Sequence, residues 1–414
     1  MRSGDVLQES GDSAFWMFVP KCIKDEVISC DESVAVPWNP FSHLLTTLGM
    51  LYTFEGLKPM RRQKSPRGFR DRDFIRTKEG FFFCVVGPYH PQDRVIAYVK
   101  YVPAKSGKWR DKGTQYRRVM RAYTIPSLLE TFNMLKTRHP QYLFHSEFYD
   151  ITMTAVPHDY IAQHYEPEEK LAQILHIIRK DALQEKLAAF IALLHEKSGI
   201  AVGCFGVTGS ILLDIHNPKF SDIDLTIYGL QSSLRLKRML NQLAGDPNSP
   251  VRRLEGETLD EWCRKKAEHF PLSLEDARRI YKRKWNIGLF SGVPFSIHPV
   301  KLEDELAEKY GDKTFRSKGQ VAIRAKVADH LESMFLPCQY RVQDVKVLEG
   351  KQDASHISEV VSYESLYDSL AETGEEIVAK GKLESVHDDR NSKEYYRVLV
   401  GSPEGKGKEY VKPL

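Results

Sequence analysis

Two aspartates separated by one apolar residue carry the clearest chemical signal in the sequence. Asp222 and Asp224 flank Ile223. Because side chains alternate along a β-strand, both carboxylates would project from one face, while Ile223, Leu225 and Ile227 would form a buried row on the other. Neighbouring carboxylates repel each other, so a fold that keeps both usually holds a cation there. Mg²⁺ suits such a pair, because it takes one or two carboxylates and completes its shell with waters and substrate phosphates.

A Gly-Ser pair stands upstream of the two aspartates. Gly209 and Ser210 lie in a predicted turn, and Ser210 precedes Asp222 by twelve residues. At a glycine turn, backbone amides and a hydroxyl can approach a phosphate closely. Together these residues predict a metal-dependent phosphoryl- or nucleotidyl-transfer site. The alternative is a surface Asp-x-Asp in a hairpin with no chemical role, but the spacing and the alternating apolar residues favour the site.

This pattern resembles the signature of the DNA polymerase beta-like nucleotidyltransferase superfamily. The resemblance covers residues 200–230 closely and residues 165–300 loosely. It implies a small mixed sheet with helices on one side and two Mg²⁺ ions beside a nucleoside triphosphate. It also implies that Gly209 and Ser210 bind the β- and γ-phosphates, and that Asp222 and Asp224 are the catalytic metal ligands.

The resemblance also implies a third carboxylate on a later strand, and the sequence lacks an acidic residue there. The run from residue 285 to residue 300 predicts a hairpin with its turn at Ser291-Gly292. The inward positions of its second arm hold Ser296 and His298 instead of an acidic residue. His298 is a candidate catalytic base, because the pKa of histidine lies near neutrality, and its alternative role is structural. The acidic residues that follow predict a helix over Leu302–Tyr310.

Composition describes an ordinary globular chain. Its 414 residues predict two or three domains, and hydrophobic residues make up 42% and charged residues 28%. No apolar run approaches the roughly 20 residues of a membrane span. The six cysteines are scattered without a Cys-x-x-Cys pair. This favours reduced thiols in a cytoplasmic compartment and argues against a zinc site.

The positive charge is concentrated in one region. Residues 58–121 contain 18 Lys or Arg against five Asp or Glu, with aromatic residues interleaved. Basic residues and stacking surfaces are typical of a single-stranded nucleic-acid site, and Arg117, Arg118 and Arg121 are candidate nucleic-acid-binding residues. The alternative is that the aromatic residues form the core of strands and the charges form a solvated face.

The chain as a whole predicts an α+β multidomain protein. A poorly patterned extension covers residues 1–59, a basic α+β module residues 60–160, and the core with the small polymerase beta-like mixed sheet and helices residues 161–310. Helical periodicity is clearest over Ile125–Arg138 and Pro167–Ser198. Five or six short strands over residues 318–414 predict a small β-barrel, OB-like as the first choice. Such a barrel would offer another nucleic-acid surface, or would only support the core or mediate dimers.

The full arrangement resembles uncharacterised archaeal predicted nucleotidyltransferases, whose N-terminal signature is similar to Asp73–Gly80 and His90–Tyr98. The first hypothesis is transfer of a nucleoside monophosphate from a nucleoside triphosphate to an RNA 3′ end, a protein hydroxyl or a small molecule, with Mg²⁺ as cofactor. The second is a nucleotide- or RNA-binding protein that kept the fold and lost turnover with the third carboxylate.

Overall fold

The computed structural model describes residues 67–111, 113–120, 122–350 and 356–414. Within these ranges the protein is a mixed α+β structure with three sheets and seven helices. The predicted extension over residues 1–59 lies outside the described residues. None of the helices in the described ranges is long and apolar enough to cross a membrane.

An eight-stranded sheet and one helix form the first part of the fold. The strands are paired in the order β4-β5-β3-β2-β1-β8, and β7 joins β3 to β6. The bounds are β1 Phe74–Thr77, β2 Phe82–Val85, β3 Arg94–Ala104, β4 Trp109–Asp111, β5 Thr114–Arg118, α1 Ile125–Arg138, β6 Leu143–Ser146, β7 Ile151–Pro157 and β8 Ile161–Tyr165. The side chain of Thr124 caps α1 by accepting the Ser127 N–H. The aromatic residues Phe82, Phe83 and Tyr101 are buried, so the core alternative is confirmed for them.

A smaller mixed sheet with six helices follows. The helices are α2 Pro167–His176, α3 Ala182–Ser198, α4 Gly209–Leu212, α5 Leu230–Gly245, α6 Gly256–His269 and α7 Leu274–Arg283. The strands are β9 Phe205–Val207, β10 Ile223–Tyr228, β11 Val251–Arg252, β12 Ile287–Phe290 and β13 Val293–Val300, in the order β11-β12-β13-β10-β9. Strand β10 is parallel to β13 and antiparallel to β9. The predicted hairpin of β12 and β13 is confirmed.

The predicted single helix over Pro167–Ser198 is wrong, because the structure divides it into α2 and α3. The side chain of Asp181 accepts the N–H groups of Leu183 and Gln184, and the Gln184 side chain accepts the Asp181 N–H. This capping box starts a new helix and satisfies its first amides. The connecting segment leaves Ile178 99% exposed, so its apolar side chain contributed to the periodicity without packing in the core.

The predicted helix over Leu302–Tyr310 is also wrong, since only the single 3₁₀ turn Glu303–Glu305 forms there. The acidic side chains instead accept hydrogen bonds from neighbouring parts of the fold. The Glu305 carboxylate accepts the Leu230 N–H at 2.7 Å at the start of α5. Glu303 accepts two bonds from the Arg70 guanidinium, at 2.7 and 2.5 Å. These contacts fix the segment to its neighbours in place of continued helical turns.

The C-terminal sheet closes on itself. Its strands are β14 Lys313–Asp329, β15 Cys338–Glu349, β16 Ile357–Ser362, β17 Glu376–Asp388, β18 Lys393–Val400 and β19 Tyr410–Pro413. Because β14 pairs with both β15 and β17, the circuit β14-β15-β16-β18-β17 forms a ring, and β16 runs parallel to β18. The burial predicted for Val321, Ile323, Ala325 and Val327 is confirmed, although Ala322, on the alternate face of the strand, is buried too.

Candidate functional site

Strand β10 places Asp224 on the side of the core sheet opposite its hydrophobic core. Ile223, Leu225 and Ile227 are fully buried in one hydrophobic cluster, as the alternation predicts. Asp224 points to the other face and is 7% exposed. Asp222 precedes the first residue of the strand and is half-buried. The strand therefore holds one carboxylate firmly, whereas the other lies at its N-terminal end.

The turn at Gly209 contacts the Asp224 carboxylate directly. Gly209 has a φ of +69°, the left-handed region that favours glycine. A methyl group at this position would overlap Oδ2 of Asp224. The preceding residue, Thr208, donates its backbone N–H to the Asp224 carbonyl at 2.9 Å. Position 209 therefore needs glycine both for its backbone conformation and for the close approach of the carboxylate.

Ser296 and His298 complete a hydrogen-bond chain that begins at Asp224. In the parallel register, Asp224 lies beside Ser296 and Thr226 beside His298. The Ser296 hydroxyl donates to Oδ1 of Asp224. Its oxygen lies 2.9 Å from Nε2 of His298. Because the single hydroxyl proton goes to the carboxylate, Ser296 accepts from His298, which assigns the proton of the neutral ring to Nε2.

The surroundings of His298 keep its imidazole neutral. Burial lowers its pKa well below the usual value, and the positive charges of Arg72, Lys100 and Lys284 lower it further. A neutral ring whose Nε2 proton is donated to Ser296 cannot take a proton at that atom. The chain of hydrogen bonds therefore makes His298 a residue that orients Ser296, and through it Asp224.

A cavity of about 340 Å³ opens beside this carboxylate. Gly209, Asp224 and His298 form part of its wall, and residues of all three sheets, two helices and several loops form the remainder. Aromatic side chains are prominent, among them Phe74, Tyr98, Tyr123, Tyr149, Phe270 and Tyr363. The volume falls within the range of small-molecule sites.

Ser210 and Asp222 are close to this wall in sequence but do not belong to the residues that line the cavity. Ser210 is buried in the short helix α4, and its carbonyl accepts the Ile215 N–H at 3.1 Å. Among the predicted site residues, the structure thus brings Gly209, Asp224 and His298 together at one cavity.

The three arginines predicted to bind nucleic acid do not form one described surface. Arg117 and Arg118 are adjacent on β5, so their side chains point to opposite faces. Arg117 is exposed, whereas the Arg118 guanidinium lies 4.5 Å from the centre of the Trp109 ring. Arg121 lies outside the described residues. Arg118 therefore packs against the sheet and Arg117 remains the accessible member of the pair.

The sequence did not identify Arg72 and Lys100, two of the five described Lys or Arg residues that line the cavity. Arg72 and Lys100 both line it, although they belong to the first sheet and its approach. The sequence showed them only as two of many basic residues between positions 58 and 121. Their separation from Asp224 by more than a hundred residues left no local pattern to identify them.

The carboxylate oxygens at the site are few, but they are the kind of ligand that a hard divalent cation prefers. In the described part of the chain, no three His, Cys, Asp or Glu side chains are grouped as metal ligands. Asp224 offers a carboxylate at the cavity wall, Asp222 lies two residues earlier and outside the lining, and the cavity has room for phosphates and water. This matches Mg²⁺, which needs one or two carboxylates from the protein when a substrate supplies further oxygens.

Comparison with known proteins gives one informative relative. No protein-family model matches the sequence, and no solved structure matches the fold. The chain is 30% identical over 348 residues to Uncharacterized protein MJ1086 of Methanocaldococcus jannaschii, covering 83% of this chain and 98% of the relative. The chain belongs to the same family as this archaeal protein.

Proposed function

We propose that the protein is a Mg²⁺-dependent nucleotidyltransferase, which transfers a nucleoside monophosphate from a nucleoside triphosphate to an acceptor. The observation that carries the proposal is the contact between the left-handed Gly209 turn and the Asp224 carboxylate at the wall of a cavity. This arrangement agrees with the resemblance of Gly209-Ser210 and Asp222-x-Asp224 to the DNA polymerase beta-like superfamily.

Each residue has a role in this proposal. Asp222 and Asp224 would hold Mg²⁺, which when bound neutralises charge on the triphosphate. The backbone at Gly209 and Ser210 would bind the phosphates that leave. Ser296 keeps the Asp224 carboxylate in one orientation through its hydrogen bond. Positioning and electrostatics of this kind supply most of the rate in phosphoryl transfer.

RNA is the acceptor that we favour. The excess of 18 basic over five acidic residues between positions 58 and 121 supplies positive charge for a polyanion. The closed C-terminal ring, with β16 parallel to β18, supports an OB-like interpretation. OB folds commonly bind single strands. A protein hydroxyl and a small molecule are the competing acceptors.

The state of the thiols supports a cytoplasmic location for this activity. Cys84, Cys204, Cys263 and Cys338 are all free. Free thiols are typical of a reducing compartment, where nucleoside triphosphates and RNA are abundant.

A second candidate function is nucleotide or RNA binding without turnover. The observation that favours it is the presence of Ser296, rather than an acidic residue, beside Asp224 on the parallel strand. With His298 donating to Ser296, the described residues at this position include no evident base. The protein would then bind the triphosphate and release it unchanged.

One experiment separates these candidates. The protein is incubated with each α-³²P-labelled nucleoside triphosphate, Mg²⁺, and either total RNA or total protein. Label transferred to an acceptor, with stoichiometric pyrophosphate release, supports the transferase. The double variant D222N/D224N serves as the control and should transfer nothing. Binding of triphosphate without transfer supports the second candidate, and no Mg²⁺-dependent binding at all contradicts both.

A further inference from the structure

Arg72 is held in an unusual conformation beside the candidate site. Its φ is +70°, a region that residues other than glycine rarely adopt. Its carbonyl accepts the Thr208 hydroxyl at 2.7 Å, so the segment is attached to the residue that precedes Gly209. The guanidinium lies 3.2 Å from Asp71 and lines the cavity. Strained backbone of this kind persists when the surrounding contacts determine it, and it occurs preferentially at functional sites.

Lys100 reaches the same cavity from β3. Its side chain is buried, with 8% of the residue exposed. The ammonium lies 5.5 Å from the centre of the Phe74 ring and 5.7 Å from that of Tyr123. Both rings also line the cavity. Lysine is rarely buried, because removing its charge from water is unfavourable unless other groups compensate it.

The electrostatic effects of the two cations converge on the candidate site. Both lower the pKa of His298, whose ring is linked through Ser296 to Asp224. Although burial alone would lower the pKa of Arg72, the negative charges of Asp71 and Asp224 contribute to holding it above its usual value. Arg72 and the Asp224 carboxylate are therefore close enough to interact, and Lys100 lines the same cavity from β3.

We propose that Arg72 and Lys100 bind the polyphosphate of the substrate, so that the first sheet and the segment before it supply a phosphate-binding part of the cavity that Gly209 and Asp224 also line. The inference rests on the proposed function for the identity of the substrate. Asp222 and Asp224 are negatively charged, so a triphosphate that lies beside them creates a local excess of negative charge. The buried Lys100 and the half-buried Arg72 line the same cavity and would compensate that charge, and the planar guanidinium of Arg72 would add directional hydrogen bonds to phosphate oxygens.

Direct binding of inorganic tripolyphosphate in EDTA tests this role apart from metal binding and turnover. Isothermal titration calorimetry at low salt compares the wild-type protein with K100M, which keeps an unbranched apolar stem among the aromatic rings. The matched control is K105M, since Lys105 is an exposed residue just beyond the end of β3 and does not line the cavity. We expect K100M to bind at least about tenfold more weakly, and K105M to bind as the wild type does.

Two further variants make the result specific. R72K keeps the charge and loses the planar fork, so it should weaken binding less than K100M and should still fold. D222N/D224N removes the carboxylates that repel phosphate, so in EDTA it should bind tripolyphosphate at least as tightly as the wild type. Equal affinities of K100M and K105M, or no wild-type binding in EDTA, would overturn the inference. If K100M-sensitive binding persists but no nucleotide is ever transferred, the proposed transferase function fails instead.

Discussion

The Ser296 hydroxyl donates a hydrogen bond to the Asp224 carboxylate from the neighbouring parallel strand. Both residues are almost completely buried, at 3% and 7% exposure. The bond occupies Oδ1 of Asp224, while Oδ2 faces the Gly209 turn. Ser296 therefore stabilises the charge of the Asp224 carboxylate without adding another charge.

Removing this donor should destabilise the protein. We expect S296A to lower the free energy of unfolding by about 1.5–3 kcal/mol, the range for hydrogen bonds to charged groups. Urea denaturation followed by circular dichroism measures the change. In a D224N background the same substitution should cause a smaller loss. An equal loss in both backgrounds would show that Ser296 acts through packing alone.

A side chain at position 209 should disrupt the site. G209A places a methyl group against Asp224 and forces alanine into the left-handed region, which by itself costs roughly 1–2 kcal/mol. We expect a lower melting temperature and loss of Mg²⁺-dependent triphosphate binding. G203A is the matched control, because a Cβ at Gly203 would meet open space. Wild-type binding by G209A contradicts the assigned turn.

The aspartate pair is tested by removing its charge. D222N/D224N should abolish Mg²⁺-dependent binding of a nucleoside triphosphate, because amides are weak ligands for Mg²⁺. Without metal the variant should remain folded, because the loss of carboxylate repulsion partly offsets the loss of the charge-assisted bond from Ser296. Fluorescent triphosphate titration and thermal denaturation give the two readouts. Unchanged affinity would refute the site.

Stability should fall with acidification because of two histidines. Burial lowers the pKa of His90 to about 4 and that of His298 well below its usual range. The unfolded chain takes up these protons near pH 6.5, before the folded protein does, so unfolding becomes more favourable as the pH drops below about 6.5. Each histidine contributes up to about 1.4 kcal/mol per pH unit.

Urea midpoints between pH 7.5 and 4.5 measure this dependence. H90N should flatten it, while its amide oxygen can still accept the Ile96 N–H that His90 accepts through Nδ1 at 3.2 Å. For the same reason, turnover should show no inflection from His298 between pH 6 and 8. An inflection in that range that disappears in H298A would restore His298 as the base.

RNA binding by the basic region should depend on salt. Counterion release gives a log–log slope of about −0.7 per phosphate contacted on a single strand. Substituting Arg117, Arg118 and Arg121 together should weaken binding and flatten the slope. Among the described members, R117Q should account for most of the effect, because Arg118 packs on Trp109. Binding that is absent at low salt, or insensitive to salt, would favour a small-molecule or protein acceptor.

Local patterns predicted much of this fold, and long-range contacts were the part they missed. The helix Ile125–Arg138 and the hairpin that carries Ser296 were both apparent, because periodicity and turn residues are local signals. The break before α3 was also encoded locally, in the Asp181 capping box, but the apolar residues around Ile178 obscured it. The positions of Arg72 and Lys100 at the cavity depend on packing between sheets, which a spacing rule does not contain.

The closed circuit of the C-terminal sheet has a consequence for behaviour at high concentration. Each of the five strands in that ring has a partner on both sides. A strand with both edges paired offers no row of unsatisfied amides on which another chain could build. The strands at the ends of the other two sheets, such as β4 and β11, have one open edge. Closure of the ring therefore leaves less open strand edge, at which intermolecular strand addition can start, than an open sheet of the same strands would.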